Sequence, residues 1–206
     1  MLVRLIFRFS KEERVKYISH LDLMRTIQRA LRRAEIPVAF SQGFNPHPRL
    51  SFASALAVGM TSEGEYIDIL LERNMEPQEF RDRLNALLPS GIRMLEGIKV
   101  SNKVPSLMSA IERADYLIEM PKLDLSFYTD EKLVEFLAQD EIIAQKKGKK
   151  GLRNINIREL IHHMEWRKDE KDSILLKTTI STGSNKNLKP DILVEAFLAW
   201  AGVPIS

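Results

Sequence analysis

Residues 3–9, VRLIFRF, alternate without a break: Val3, Leu5, Phe7 and Phe9 fall on one face, Arg4, Ile6 and Arg8 on the other. A period of two is the mark of a strand with one face on a core. The charged KEER that follows reads as a bend, and VKYIS extends or restarts the strand. Ser19-His20-Leu21-Asp22 then opens a helix, with Ser19 as N-cap and Asp22 in the first turn, where a carboxylate suits the dipole. At about 100° per residue, Leu21, Met24, Ile27, Leu31 and Ala34 gather on one side of this helix. It runs to Ala34, and Glu35-Ile36-Pro37 stops it.

PVAFSQGFNPHPRLSFA comes next, then Ser62-Glu63-Gly64 as a turn and EYIDILLE as a strand. EPQEFRDRLNALLP has an amphipathic helical stripe of Phe80, Leu84, Leu87 and Leu88, and IRMLEGIKV returns as a strand. Strand, helix, strand, strand, helix, strand with short connections is the split βαβ order of a ferredoxin-like domain. That order puts both helices on one face of an antiparallel sheet and leaves the other face open. We therefore expect such a domain over residues 1–101.

After a connection at 102–112, residues 113–206 hold DYLIEM as a strand and TDEKLVEFLAQ as a helix with Leu133, Phe136 and Leu137 inward. EIIAQKKGKKGLRNINIRELIHHMEW contains a strand, a basic turn and a segment whose period is ambiguous. SILLKTTIST is rich in β-formers, and PDILVEAFLAWAG is a last helix with Pro190 in its first turn. The expectation is a second, degenerate unit of the same plan. The fold class is α+β, two ferredoxin-like units packed together.

Composition narrows the chemistry. The 206 residues include no cysteine, which removes disulfides, thiolate nucleophiles, thiolate zinc sites and cysteine-ligated iron–sulfur clusters. No run of eighteen apolar residues exists, so no membrane span is expected. The start, broken by Arg4 and Arg8, lacks the h-region of a signal peptide, and a cytoplasmic protein is the expectation. The net charge of +3 says little about a polyanionic partner until its distribution is known.

Two places concentrate positive charge. Arg25, Arg29, Arg32 and Arg33 gather opposite the apolar side of the first helix, flanked only by Asp22 and Glu35. They read either as a solvated face or as phosphate contacts, which arginine forks match bidentately. QKKGKKGLR gathers Lys146, Lys147, Lys149, Lys150 and Arg153 around two glycines, the make-up of a hairpin tip that is either a soluble turn or a track for a nucleic-acid backbone. Neither an RRM signature nor a GXXG loop accompanies them.

Between the first helix and the next strand lies SQGFNPHPRLSFA. Gly43 permits a positive φ, while Pro46 and Pro48 fix φ, so the loop is stiff. Phe44 and His47 offer flat rings for stacking; Gln42, Asn45 and Arg49 offer hydrogen bonds to bases or phosphates. A rigid crossover with Phe44 and Phe52 in the core accounts for the same residues. His20 and His47 also admit an acid–base pair for metal-independent RNA cleavage. No hydrolase triad, H-E-x-x-H or phosphate loop supports catalysis, and the vicinal His162-His163 points its rings apart, a poor metal site.

YISHLDLMRTIQRALRRAEIPVAFSQGFNPHPRLSFASALAVGMTSEGEYIDI resembles the bacterial radical-SAM-linked (radical-SAM-associated) family, of uncharacterised function. The shared blocks are SHLDLMR, RALRRA-x-x-P, SQGFNPHPRLSFA and G-x-x-SE-x-E-x-x-D; VPSLMSAIERADY and NLKPDILVEAF resemble its later ones. The matching positions include His20, Asp22, Arg25, Arg29, Arg32, Arg33, Gln42–Pro46, Pro48 and Arg49, with Glu63, Glu65 and Asp68 in the acidic block. The QKKGKKG tip lies outside them. The resemblance implies a protein that works beside, or fused after, a radical-SAM enzyme with a cobalamin-binding-like region. That partner would carry the iron–sulfur cluster and S-adenosylmethionine, and no cofactor is expected on this chain. The resulting expectation is a non-catalytic RNA- or substrate-binding accessory protein. The alternatives are the nuclease above and a protein–protein adaptor presenting Phe197 and Trp200 from the last helix.

Overall fold

The alternating segment is β1 (Val3–Lys11), and its inward residues Leu5, Phe7 and Phe9 are fully buried. The computed structural model describes residues 2–121, 124, 127–148, 151–170, 172–183 and 186–203. After β1 come α1 (His20–Arg33), β2 (Leu50–Phe52), β3 (Ser62–Leu71), α2 (Pro77–Asn85) and β4 (Ile92–Val100). They form an antiparallel sheet in the order β2-β3-β1-β4, the ferredoxin-like arrangement. Both helices bury their apolar sides on the Leu5–Phe7–Phe9 face, together with Ile67 and Ile69. Phe7 stacks on Phe80 of α2, ring centroids 4.7 Å apart. Gly97 lies across the ladder from Phe7, and a Cβ there would stand 2.3 Å from the ring. Only a glycine leaves room for that aromatic pair.

Local chemistry sets the helix ends. Ser19 Oγ accepts the Asp22 N–H at 3.1 Å and donates to the Asp22 carboxylate at 2.7 Å, a reciprocal cap. At the other end Glu35 takes a left-handed φ of 51° and the Ile36 N–H reaches the Leu31 carbonyl at 3.1 Å, a Schellman closure without its usual glycine. The buried side of α1 is Leu23, Ile27, Ala30 and Leu31, continued by Ala34, while Leu21 is 59% exposed. At about 100° per residue Leu21 lies some 120° from Ile27 and Leu23 only about 40°, so the expected stripe was centred too far round. Ser62-Glu63-Gly64, expected as a turn, begins β3. Lys11, assigned to a charged bend, ends β1 and is buried.

The chain divides into two units, residues 1–110 and 111–206, with the break inside the expected connection 102–112. In that stretch α3 (Leu107–Ala110) belongs to the first unit. Arg4 holds the approach to it, donating to the carbonyls of Val104 and Pro105, the latter at 2.9 Å. The sheet face opposite the helices, expected to be open, is therefore partly strapped by residues 104–105.

The second unit contains β5 (Arg113–Glu119), α4 (Asp130–Leu137), β6 (Ile143–Gly148), β7 (Gly151–Asn156), β8 (Ile161–Lys168), β9 (Ile174–Ser181) and α5 (Pro190–Trp200). Its main sheet is antiparallel in the order β5-β9-β8, and β6-β7 forms a separate hairpin. The ambiguous stretch resolves into β7, a 3-10 turn at Arg158–Leu160 and β8. The core gathers Phe136, Trp166 and Phe197, whose ring centroid lies 5.2 Å from Phe136 and 5.7 Å from Trp166. Phe197 is fully buried and cannot be presented to a partner as the adaptor reading supposed. Among the described residues no helix is long and apolar enough to cross a membrane.

Candidate functional site

Between α1 and β2 the chain makes an arm. Val38 bridges to Leu71 at the end of β3, the Ala39 N–H bonds to the Leu70 carbonyl at 2.8 Å, and Leu70 N–H returns to Arg49 at 3.0 Å. The two limbs then pair with each other. The Arg49 N–H donates to Ala39 at 2.7 Å, the Ser41 N–H donates to His47 at 2.9 Å, and Phe40 bridges to Pro48. Ser41 Oγ accepts the His47 N–H at 3.1 Å and lies 2.9 Å from its Nδ1, so the ring is held by one edge and Nε2 is on the other.

The tip is Gln42, Gly43, Phe44, Asn45 and Pro46, every residue of it exposed. Gly43 sits at φ 121°, a conformation that favours glycine, with open space where a Cβ would be. Phe44 is 107% exposed, more than in an extended chain. The two readings of this residue therefore separate: Phe52 is in the core and Phe44 is not.

Beside the arm lies an open cleft of about 580 Å³, lined by His47, Arg49 and Ser51 from the arm and β2, by Asn102, and by Arg4 and Asp68. Arg4 donates to Asp68 through Nε at 3.0 Å and Nη2 at 2.6 Å, and both side chains are nearly buried. The hydrogen bond to Asp68 holds the Arg4 guanidinium above its ordinary pKa. Since the fork is spent on Asp68 and two carbonyls, it builds the cleft wall rather than offering an anion site. Among the described residues Arg49 has no carboxylate partner and remains the cleft's available cation.

The other expected contacts distribute as follows. Arg25, Arg29, Arg32 and Arg33 are all exposed on α1. Arg25 pairs with Asp22 at 3.5 Å, so the basic face is less free than its spacing suggested. Arg29, Arg32 and Arg33 have no ion pair among the described residues. Arg33 is five residues before Val38, which limits its Cα to about 18 Å from the base of the arm. His20 begins α1 and packs edge-on against Phe52, centroids 5.0 Å apart. Among the described residues no hydrogen bond or ring contact joins His20 to His47. Lys146 and Lys147 lie on β6 in the second unit; Lys146 faces Arg153 across the hairpin and donates to the Asn187 carbonyl at 3.4 Å. Lys149 and Lys150 lie outside the described residues. His162 contacts Ser181 Oγ at 2.9 Å and His163 lies 3.6 Å from Glu165, so the vicinal pair takes separate partners.

Sequence reasoning missed Ser41, Arg4 and Ser51. The signal for Arg4 was its place on the outer face of β1, two rungs from the Ile6–Asp68 pair. It also missed Lys11, buried at the far end of β1: it donates to the Lys16 carbonyl at 2.8 Å and burial lowers its pKa, while burial raises that of nearby, half-buried Glu65. Among the described residues no three metal-ligating side chains come together.

A family described as "Uncharacterized protein conserved in bacteria (DUF2344)" matches residues 4–190, and the chain belongs to it. No curated protein matches the chain.

Proposed function

We propose that this member of the bacterial family is a non-catalytic RNA-binding accessory protein, serving a radical-SAM enzyme in the modification of tRNA or rRNA. The observation that carries the reading is Phe44: a phenyl ring wholly in water at the tip of a stiff, internally hydrogen-bonded arm. Such a ring gains from a stacking partner, and an unpaired base supplies one whatever its identity. Gln42 and Asn45 beside it suit hydrogen bonds to base edges, and Arg49 and the free arginines of α1 suit the backbone. Stiffness matters because an ordered arm loses little entropy on binding. The radical-SAM partner rests on the resemblance of SHLDLMR and SQGFNPHPRLSFA to that family's blocks, and the absence of cysteine leaves cluster chemistry to the partner.

Filter binding of total tRNA and rRNA across a salt series tests the reading. Binding at about micromolar Kd near 50 mM salt, with a steep negative salt slope, is the expected result. No binding at that salt contradicts it. RNA cleavage that is lost on His20→Ala or His47→Ala contradicts the non-catalytic role. Co-purification with a radical-SAM enzyme encoded beside the gene is the expected outcome for the partner.

A further inference from the structure

The outer face of the first sheet follows from alternation. Phe52, Ile67 and Ile69 lie in the core, so Ser51 and Asp68 lie on the other face, and the register sets those two directly opposite each other. Arg4 reaches Asp68 from β1, and Arg49 comes two residues before Ser51, about 7 Å away along an extended chain. All four line the cleft of about 580 Å³, whose every lining residue belongs to the first unit.

Burial sorts these groups by depth. Asp68 and Arg4 are nearly buried and make the floor; His47, Arg49 and Ser51 are exposed and make the rim. The two levels differ in what they offer a ligand. Arg4 commits Nε, Nη1 and Nη2 to Asp68 and the carbonyls of Val104 and Pro105. Among the described residues Asp68 receives no donor other than Arg4. Two N–H groups do not saturate an ionised carboxylate, which offers about four acceptor sites. The floor therefore accepts, while Arg49 and His47 at the rim suit an anion. A ligand that matches both levels carries a hydroxyl or amine donor close to a negative charge.

We propose that the cleft takes one nucleotide of the bound strand, with Asp68 accepting its ribose 2′-hydroxyl and Arg49 and His47 holding its phosphate. The inference rests on the RNA reading and deepens it, because it supplies the selection of RNA over DNA. Phe44 stacks on any base, and Arg49 meets a phosphate that both nucleic acids carry, so neither tells the two apart. The 2′-hydroxyl does. Ser51, opposite Asp68, has no side-chain partner among the described residues, and its hydroxyl donates to the same 2′-oxygen. A deoxyribose strips water from the carboxylate and returns no donor, which costs affinity. Phe44 is three residues from His47, at most about 11 Å between Cα atoms, so one strand reaches both the ring and the cleft.

Fluorescence anisotropy of the full chain with a labelled single-stranded RNA and a DNA of the same sequence, at one salt concentration, tests this. The wild type is expected to bind the RNA about tenfold tighter or more, the worth of a hydrogen bond to a charged group. The same RNA with every 2′-oxygen methylated cannot donate there and is expected to bind as the DNA does. Asp68→Asn, a weaker acceptor of the same shape, is expected to bring the ratio to within about threefold. Ser51→Leu is exposed on β2 and fills the space beside Asp68, so it is expected to do the same without disturbing the buried ion pair. Arg49→Ala is expected to weaken RNA and DNA alike. Equal binding of RNA and DNA by the wild type, tight binding of the methylated RNA, or a ratio unchanged in both Asp68→Asn and Ser51→Leu overturns the inference and leaves the RNA reading standing. Binding of neither strand overturns both.

Discussion

In the first unit β1 has β3 on one side and β4 on the other; its counterpart β5 has β9 on one side and, among the described residues, no strand on the other. The same βαββα order thus sets β1 inside its sheet and, among the described residues, β5 at an edge. The elaborations differ too. The first unit extends the α1–β2 connection into a stiff arm with an exposed ring, and the second inserts the β6-β7 hairpin at the equivalent place, between α4 and β8. A ferredoxin-like unit therefore tolerates additions where its first helix returns to the sheet. That connection crosses from one end of the sheet to an edge strand, so added residues project without disturbing the central ladder.

The largest effect expected from this comparison comes from the separate cores. Phe80→Ala removes the partner of Phe7 and Phe197→Ala the centre of the aromatic group in the second unit, each costing about 3–5 kcal/mol within its own unit. Trp166 and Trp200, the only tryptophans, both belong to the second unit. Fluorescence-detected unfolding should shift strongly for Phe197→Ala and little for Phe80→Ala. Equal shifts would mean that the two units unfold as one.

Acid separates the units in sign. Burial raises the Glu65 carboxyl above its ordinary 4.5, so the folded first unit holds that proton more tightly than the unfolded chain. Its contribution is unfavourable at neutral pH and relaxes as pH falls through the raised value. Glu165, hydrogen-bonded to Arg167 and Lys177, is pushed down to about 2. Its contribution is favourable above 4.5 and is lost as pH falls toward 2. Hydrogen exchange followed unit by unit should show Glu65→Gln stabilising the first unit at pH 7, with a gain that fades toward pH 4.5. Glu165→Gln should destabilise the second at pH 7, with a loss that fades toward pH 2. Shifts of the same sign would contradict the contrast in burial. Smaller still, Glu35→Gly should stabilise the first unit by up to about 1 kcal/mol in denaturant unfolding, because it relieves a left-handed residue at the Schellman position.

Much of this plan was legible, and the exceptions have physical causes. VRLIFRF announced β1 because a half-buried central strand keeps strict alternation. GLRNINIRELIHHMEW stayed ambiguous because β7 belongs to an exposed hairpin with little to bury, and β8 shifts register between Ile161 and His163. At the candidate site, the stiffness of the arm could be read from Gly43, Pro46 and Pro48. The state of Phe44 could not, since a phenylalanine beside Phe52 has the same composition whether it is core or tip. Arg4 and Asp68 meet only after β1 and β3 are paired, 64 residues apart in sequence.

The account rests on Phe44 as a stacking platform, and fluorescence anisotropy of a labelled single-stranded RNA with wild type and Phe44→Ala measures that most directly. The account predicts an affinity loss of about 1–3 kcal/mol, roughly 5- to 150-fold, with an unchanged unfolding transition because the ring contributes no packing. Equal affinity for the two proteins, or no binding by either at low salt, would contradict it.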